Sequence, residues 1–358
     1  MKKSIMWEHI YEEADRLKEL LASRQVADLL NAYDSRKLTR IIFVSSGSSL
    51  NITTIAKRFY EELAHIEVNT YTPFDFAGNA TILTQYDREM TLIAAISQTG
   101  TSSGTIDAIH HAKKLGFNVL TLTETRNTPV EQLGDYYLNF LSGSEPCNAK
   151  TKGVCNSLTL LMLLAIEIGK VKGVLGDERY QAYIDEIAAS IEDIPATIEA
   201  AKQWLENHQD WGKVQHFYVL GNGTNYGTAE EATLKMMETM CIPATVCELG
   251  EFSHGVHRTI GPNSNIITIV TEEYGHEIMK KTNGFLAETV GRLLVIDATS
   301  EPFTDDNVIH VAHRPLTASC LNLNVALQVL ATALPEYNGI DPNQPMHEEL
   351  TRLVGTRI

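Results

Sequence analysis

Three side chains able to trade protons fall on one helical face of this sequence. Glu231, Lys235 and Glu238 stand at i, i+4 and i+7, so a helix through them gathers two carboxylates and an ammonium. Beyond them Glu248 leads into Gly250-Glu251-Phe252-Ser253-His254-Gly255, where a carboxylate and an imidazole lie between two glycines. Groups of these types serve general acid–base chemistry. They equally suit a solvated, salt-bridged helix face and a structural histidine, and spacing alone leaves both readings open.

A second set of residues suits an anion. Ile41 to Val44 runs into Ser45-Ser46-Gly47-Ser48-Ser49, and Leu92 to Ile96 runs into Ser97-Gln98-Thr99-Gly100-Thr101-Ser102-Ser103. A strand that ends in small hydroxyl residues and opens a helix presents N–H groups and hydroxyls at the positive end of a helix dipole. Ser46, Ser48, Ser49, Ser97, Thr99 and Ser102 can surround one phosphate without Lys or Arg. Either loop alone is also an ordinary turn or N-cap; two in one half favour a site. The competing reading is a dinucleotide loop at Gly221-Asn222-Gly223-Thr224-Asn225-Tyr226-Gly227, but its third glycine falls one residue late for GxGxxG.

These segments sit in a duplicated frame. Phe217 to Leu220 followed by Gly221-Asn222-Gly223 repeats Ile41 to Val44 followed by its serine loop, whereas Ile266 to Val270 opens into Thr271-Glu272-Glu273-Tyr274. One half keeps the anion loop and the other has lost it. From Arg40 onward β-rich runs at 41–44, 68–71, 92–96 and 119–122 alternate with helical patterns at 52–64 and 105–115. The second half repeats this with runs at 217–220, 266–270 and 293–296 and helices at 228–240 and 276–288. Such alternation predicts an α/β chain of two domains, each a doubly wound parallel sheet flanked by helices. Residues 1–190 are expected to hold an amphipathic N-terminal arm (5–34) and the first domain, and 191–358 the second domain with the Glu/His cluster and the tail. A charged helical stretch, 177–207, joins the halves without a flexible linker, so they are expected to pack. After an apolar helix at 321–334, Pro342 and Pro345 predict an extended arm.

Composition narrows the partners. Among 358 residues, 29 are basic and 45 acidic, a formal net charge of −16 that argues against nucleic acid or an anionic membrane. The five cysteines form no CxxC pair, which fits a reducing cytoplasm and no metal site. Lys2 and Lys3 are followed by Glu8, His9 and Glu12 rather than by the apolar core of an export signal. The most apolar run, Leu158 to Ile168, is about half the roughly 20 residues of a membrane span and reads as a buried helix.

With these blocks in view, the whole chain resembles the tandem sugar isomerase (SIS) domain proteins, namely the isomerase half of glucosamine-6-phosphate synthase and the fructosamine-6-phosphate deglycases. Ser45 to Ser49 resembles that family's first sugar-phosphate loop, and Ser97 to Ser102 its SQSGET segment, with Thr99 for the second serine. Gly143-Ser144-Glu145 through Ala149-Lys150-Thr151-Lys152 is similar to GTE...ASTK, Glu231 to Glu238 to EGALKLKE, and Gly250 to Gly255 to GELKHG. The resemblance implies two SIS domains and a sugar-phosphate substrate bound by Ser46, Gly47, Ser48, Ser49, Ser97, Gln98, Thr99 and Ser102. It implies that Glu238 shuttles a proton between carbons 1 and 2. By the same resemblance, His254 helps to open the sugar ring from a neighbouring subunit of a homodimer or higher oligomer, and Lys235 is a polar partner near the reacting carbons. Glu231 either takes part or only orients the site.

The chain departs from the synthase in ways that redirect the expected activity. The tail lysine that forms an imine in the synthase is missing: no lysine follows Lys281, and Leu350 and its neighbours stand in its place. The second residue is Lys2 rather than a nucleophilic cysteine, so glutamine-dependent ammonia transfer is not expected of this chain. Lys150 replaces a family serine and either holds a substrate carboxylate or pairs with Glu145. A substrate that already carries nitrogen at carbon 1 removes the need for an imine lysine. The expectation is therefore a deglycase that splits a fructosamine 6-phosphate type of amino-acid conjugate, with no metal or organic cofactor. An aldose–ketose isomerase or amino-sugar-phosphate deaminase is the enzymic alternative, and a non-catalytic sugar-phosphate sensor the other.

Overall fold

A computed structural model describes residues 4–356; Lys2 and Lys3, read above, lie outside them. The chain divides into two compact units. One is built from residues 15–145 and 156–184 with the segment from Pro345 onward, and the other from the segment ending at Ala14 with 146–155 and 185–344.

The first of these units contains β1 (Arg40–Val44), β2 (Glu67–Tyr71), β3 (Thr91–Ile96), β4 (Asn118–Thr123) and β5 (Tyr136–Asn139). All pair in parallel, in the order β2-β1-β3-β4-β5, with Val44 opposite both Tyr71 and Ala95. Every residue of β3 is buried, as a central strand covered on both faces requires. One face packs Ile42, Val44, Ile93 and Val119 against Phe76 and Ile109. The order reverses at β1: its neighbours β2 and β3 lie on opposite sides, and the chain leaves β1 for helix Ser48–Ala64 and β3 for helix Ser103–Lys114. That reversal makes a topological switch point at the carboxyl ends of β1 and β3, the place where open α/β sheets take their ligands.

The second unit repeats the arrangement with β6 (Phe217–Gly221), β7 (Ala244–Glu248), β8 (Asn265–Val270), β9 (Arg292–Asp297) and β10 (Val308–His310), in the order β10-β9-β8-β6-β7. Read from β7, this is the order of the first sheet, and all its pairings are again parallel. Leu220, Ile266, Val270 and Val295 form its core with Met279 and Leu286 of helix His276–Thr289. Two parallel five-stranded sheets flanked by helices are the expected α/β class.

The helical expectations hold with differences at the ends. The N-terminal arm is two helices, Met6–Ala22 and Gln25–Ala32, and the charged stretch is Asp177–Glu192 and Ile194–Asn207, broken before Pro195. The tail is not wholly extended: a proline restrains itself and the residue before it, and beyond Pro345 Glu348–Val354 forms a short helix. Lys152–Val171 is the one described helix long and apolar enough to cross a membrane, yet 83% of its most apolar window is buried inside the molecule, as in a core helix.

Candidate active site

The two hydroxyl loops leave the sheet at the switch point. After β1 the backbone turns at Gly47, whose φ of 59° and ψ of −137° suit a residue without Cβ, and Gly47 O accepts from Leu50 N at 2.8 Å and Asn51 N at 3.1 Å. Ser46 and Gly47 are exposed, and Ser48 and Ser49 begin the helix half-buried. After β3, Ser97 is buried and its hydroxyl accepts from Gly100 N at 3.2 Å. Gly100 also has a left-handed φ of 68°, and a Cβ on it would lie 2.0 Å from Thr128 Oγ1, so glycine is required here. Thr99 and Thr101 share a hydrogen bond of 3.1 Å, and Ser102, the N-cap of helix Ser103–Lys114, accepts from Thr105 at 3.1 Å.

A carboxylate that sequence reasoning missed braces this loop. Glu124, at the end of β4, donates its backbone N–H to Gln98 O at 3.0 Å. Its carboxylate accepts from Ser142 N and Oγ, both at 2.8 Å, and from Gly143 N at 2.9 Å. Gln98 Nε2 in turn donates to Glu145 Oε2 at 3.1 Å. The only sequence signal for Glu124 is an acid directly after an apolar strand. The C-terminal segment also reaches this loop: Ser103 donates from N to Thr356 O at 3.2 Å and from Oγ to Gly355 O at 2.7 Å.

In the other unit the expected proton-transfer residues do share a helix, Asn225–Met240. Lys235 Nζ lies 3.2 Å from Glu231 Oε1 and 2.5 Å from Glu238 Oε2. The lysine and Glu231 side chains are each 2% exposed, while that of Glu238 is 32% exposed. Burial alone would pull the Lys235 pKa down; the charges and hydrogen bonds of Glu231 and Glu238 more than offset this, and the net displacement is upward. The group is thus a locked ammonium with one buried carboxylate and one that faces solvent.

His254 is not joined to that cluster by any described hydrogen bond or ion pair. It follows the short helix Leu249–Phe252, which Glu248 caps by accepting from Glu251 N, and it is exposed beside Gly255. Lys150 lies half-buried in the segment before helix Lys152–Val171.

The second sheet also has a switch point, between β6 and β8, and there the structure holds an anion of its own. Glu273 accepts from Thr224 Oγ1 at 2.8 Å, Asn225 Nδ2 at 3.3 Å and Thr271 Oγ1 at 3.3 Å. The loop that lacks the serines is filled by a carboxylate.

Known proteins resemble this chain in sequence and in fold. Over 307 residues the chain is 26% identical to the glutamine–fructose-6-phosphate aminotransferase (isomerizing) of Oceanobacillus iheyensis, an alignment covering 86% of this chain and 50% of that protein. The chain spans about half the length of the curated relatives it matches. Among solved structures, a candidate phosphosugar isomerase from Clostridium difficile superposes with a TM-score of 0.88 at 26% identity, covering 99% of each chain. The C-terminal domain of glucosamine-fructose-6-phosphate aminotransferase from Francisella tularensis shares the fold, with a TM-score of 0.86 at 21% identity over 96% of this chain and 98% of that one. The SIS domain family matches residues 36–167 and 213–333, one stretch in each half, and the chain therefore belongs to that family.

Proposed function

We propose that the protein is a phosphosugar deglycase, splitting an amino-acid or amine conjugate of a hexose 6-phosphate. The hydroxyl loops Ser45–Ser49 and Ser97–Ser102 hold the phosphate and supply binding energy remote from the reacting carbons. Glu238 takes a proton from carbon 1 of the ketosamine, which gives an enaminol, and returns it to carbon 2. The resulting aldose imine adds water at carbon 1, and the carbon–nitrogen bond then breaks to leave hexose phosphate and free amine. His254, contributed by a second subunit of a homodimer, serves ring opening and the leaving amine.

The observation that carries this reading is the state of Lys235. The lysine beside Glu238 is held as an ammonium between two carboxylates, so it is a poor imine-forming amine, and residues 346–356 of the tail contain no lysine. A substrate that brings its own nitrogen needs neither. Glu238, unlike Glu231, is open to solvent on one side, as a group that meets substrate must be.

An aldose–ketose isomerase or an amino-sugar-phosphate deaminase would use the same proton transfer. The test is mass spectrometry of the protein incubated with fructosamine 6-phosphates made from different amino acids, beside Glu238→Gln. Equal amounts of hexose phosphate and free amino acid, lost in the variant, are expected. Interconversion of simple sugar phosphates without amine release would favour the isomerase, release of ammonia from an amino sugar phosphate the deaminase, and tight binding unchanged by Glu238→Gln without any turnover the sensor.

A further inference from the structure

The carboxylate at the second switch point connects three parts of its unit. Thr271, just after β8, and Thr224 and Asn225, at the start of helix Asn225–Met240, all donate to Glu273. Gly223, with a φ of 54°, lies against the same carboxylate: a Cβ there would sit 3.3 Å from Glu273 Oε1. Asn225 is 1% exposed, and its amide also donates to Ala318 O at 3.1 Å, just before helix Cys320–Tyr337. The charge is felt at that helix too: burial first, and the Glu273 carboxylate second, push the Cys320 thiol up to about 12.

A negative charge at this place is favourable for the reason that phosphate is favoured in the first half: the start of a helix carries partial positive charge and unpaired N–H groups. In the first half the corresponding loops, after β1 and β3, carry hydroxyls, of which Ser46 is exposed and Ser48, Ser49, Thr99 and Ser102 are half-buried. In the second, a side chain of the protein fills the place, and the helix it secures is the one that carries Glu231, Lys235 and Glu238.

We propose that Glu273 is a resident anion, occupying by sheet order the place where the first half takes phosphate, and that it is a positioning residue for the helix bearing Glu238. The anion role stands on the geometry alone. Its effect on turnover rests on the proposed use of Glu238.

The experiment compares wild type, Glu273→Ala and Glu273→Gln by thermal unfolding in sodium chloride and in sodium formate at matched ionic strength, followed by steady-state kinetics in both salts. Glu273→Ala opens a space that free formate can enter, whereas Glu273→Gln keeps the bulk and removes the charge. The expected result is a Tm lower by roughly 3–6 °C in Glu273→Ala, with at least half of the loss regained in formate and no formate response in wild type or Glu273→Gln. The kcat of Glu273→Ala should fall about tenfold, a loss of aligned general-base catalysis, with KM little changed and kcat rising again in formate. An unchanged Tm, or a loss that formate does not relieve, overturns the anion role. A change confined to KM overturns the positioning of Glu238. Should Glu273→Ala not fold, a Glu273→Gln protein as stable as wild type overturns the proposal and a clearly less stable one supports it. If wild type turns over no substrate, the proposed function fails while the unfolding data still judge Glu273.

Discussion

Lys235 Nζ and Glu238 Oε2 stand 2.5 Å apart, with the lysine sealed inside the helix face and the glutamate at its open edge. Removing the cation would take away a positive charge 3.2 Å from the Glu231 carboxylate, which is 2% exposed. Breaking a buried pair from one side is costly, about 3–5 kcal/mol, whereas replacing both partners by neutral groups is far less so. Lys235→Met should therefore lose several kcal/mol in urea unfolding, on the order of that range, and Lys235→Met with Glu231→Gln should recover a large part of it. Equal losses in the single and double variants would mean that the pair does not act as a unit.

The same pair has a defined pH window. The folded pKa of Lys235 lies above its ordinary 10.5, so its contribution is fully present below that value and is lost only as pH rises through the folded one. The difference in unfolding free energy between wild type and Lys235→Met should stay flat from about pH 7 to pH 10 and shrink in stronger alkali. A difference that already declines between about pH 7 and pH 9 would contradict a locked ammonium.

Gly100 offers a test of the proposed phosphate loop. Its φ of 68°, and the 2.0 Å that would separate an added Cβ from Thr128 Oγ1, leave no room for alanine without a shift of the loop. Gly100→Ala should cost about 1–3 kcal/mol and weaken sugar-phosphate binding in calorimetry more than tenfold, roughly what displacement of several donors implies. Gly78→Ala, at the end of a helix with open space around it, is the control and should be nearly neutral in both measurements.

What could be read from the sequence follows from where the information lies along the chain. Central strands β3 and β8 bury both faces, so β3 appears as an unbroken apolar run from Leu92 to Ile96 and β8 as an apolar run, Ile266 to Val270, interrupted only by Thr268. The edge strands β5, β7 and β10 do not: Tyr136 and Tyr137, Ala244 to Val246, and Val308 with His310 are only partly buried or exposed, and no run marks them. Glu231, Lys235 and Glu238 were visible because one helix brings them together by its own period. Glu124 and Glu273 were not, because their partners come from loops far away in sequence: Ser142 and Gly143 for the one, Thr224 and Asn225 for the other. The loss of serines after β8 was legible; that a carboxylate fills the gap was not.

His254 decides whether two subunits make one site. It is exposed, and its side chain makes no described hydrogen bond, so nothing described within its own chain holds the imidazole for catalysis. If it serves Glu238 of a partner subunit, Glu238→Gln and His254→Ala proteins should each be inactive yet complement one another. In a mixed two-fold dimer one site then has both defects and the other has neither. Mixed dimers should therefore show about half of wild-type activity, and an unsorted random mixture about a quarter, since half of its dimers are mixed. Co-expression of the two variants with different affinity tags, purification through both tags and assay of amine release reads this directly; mixed dimers as inactive as the single variants would place His254 with the Glu238 of its own chain, and an active His254→Ala protein would place it outside the reaction.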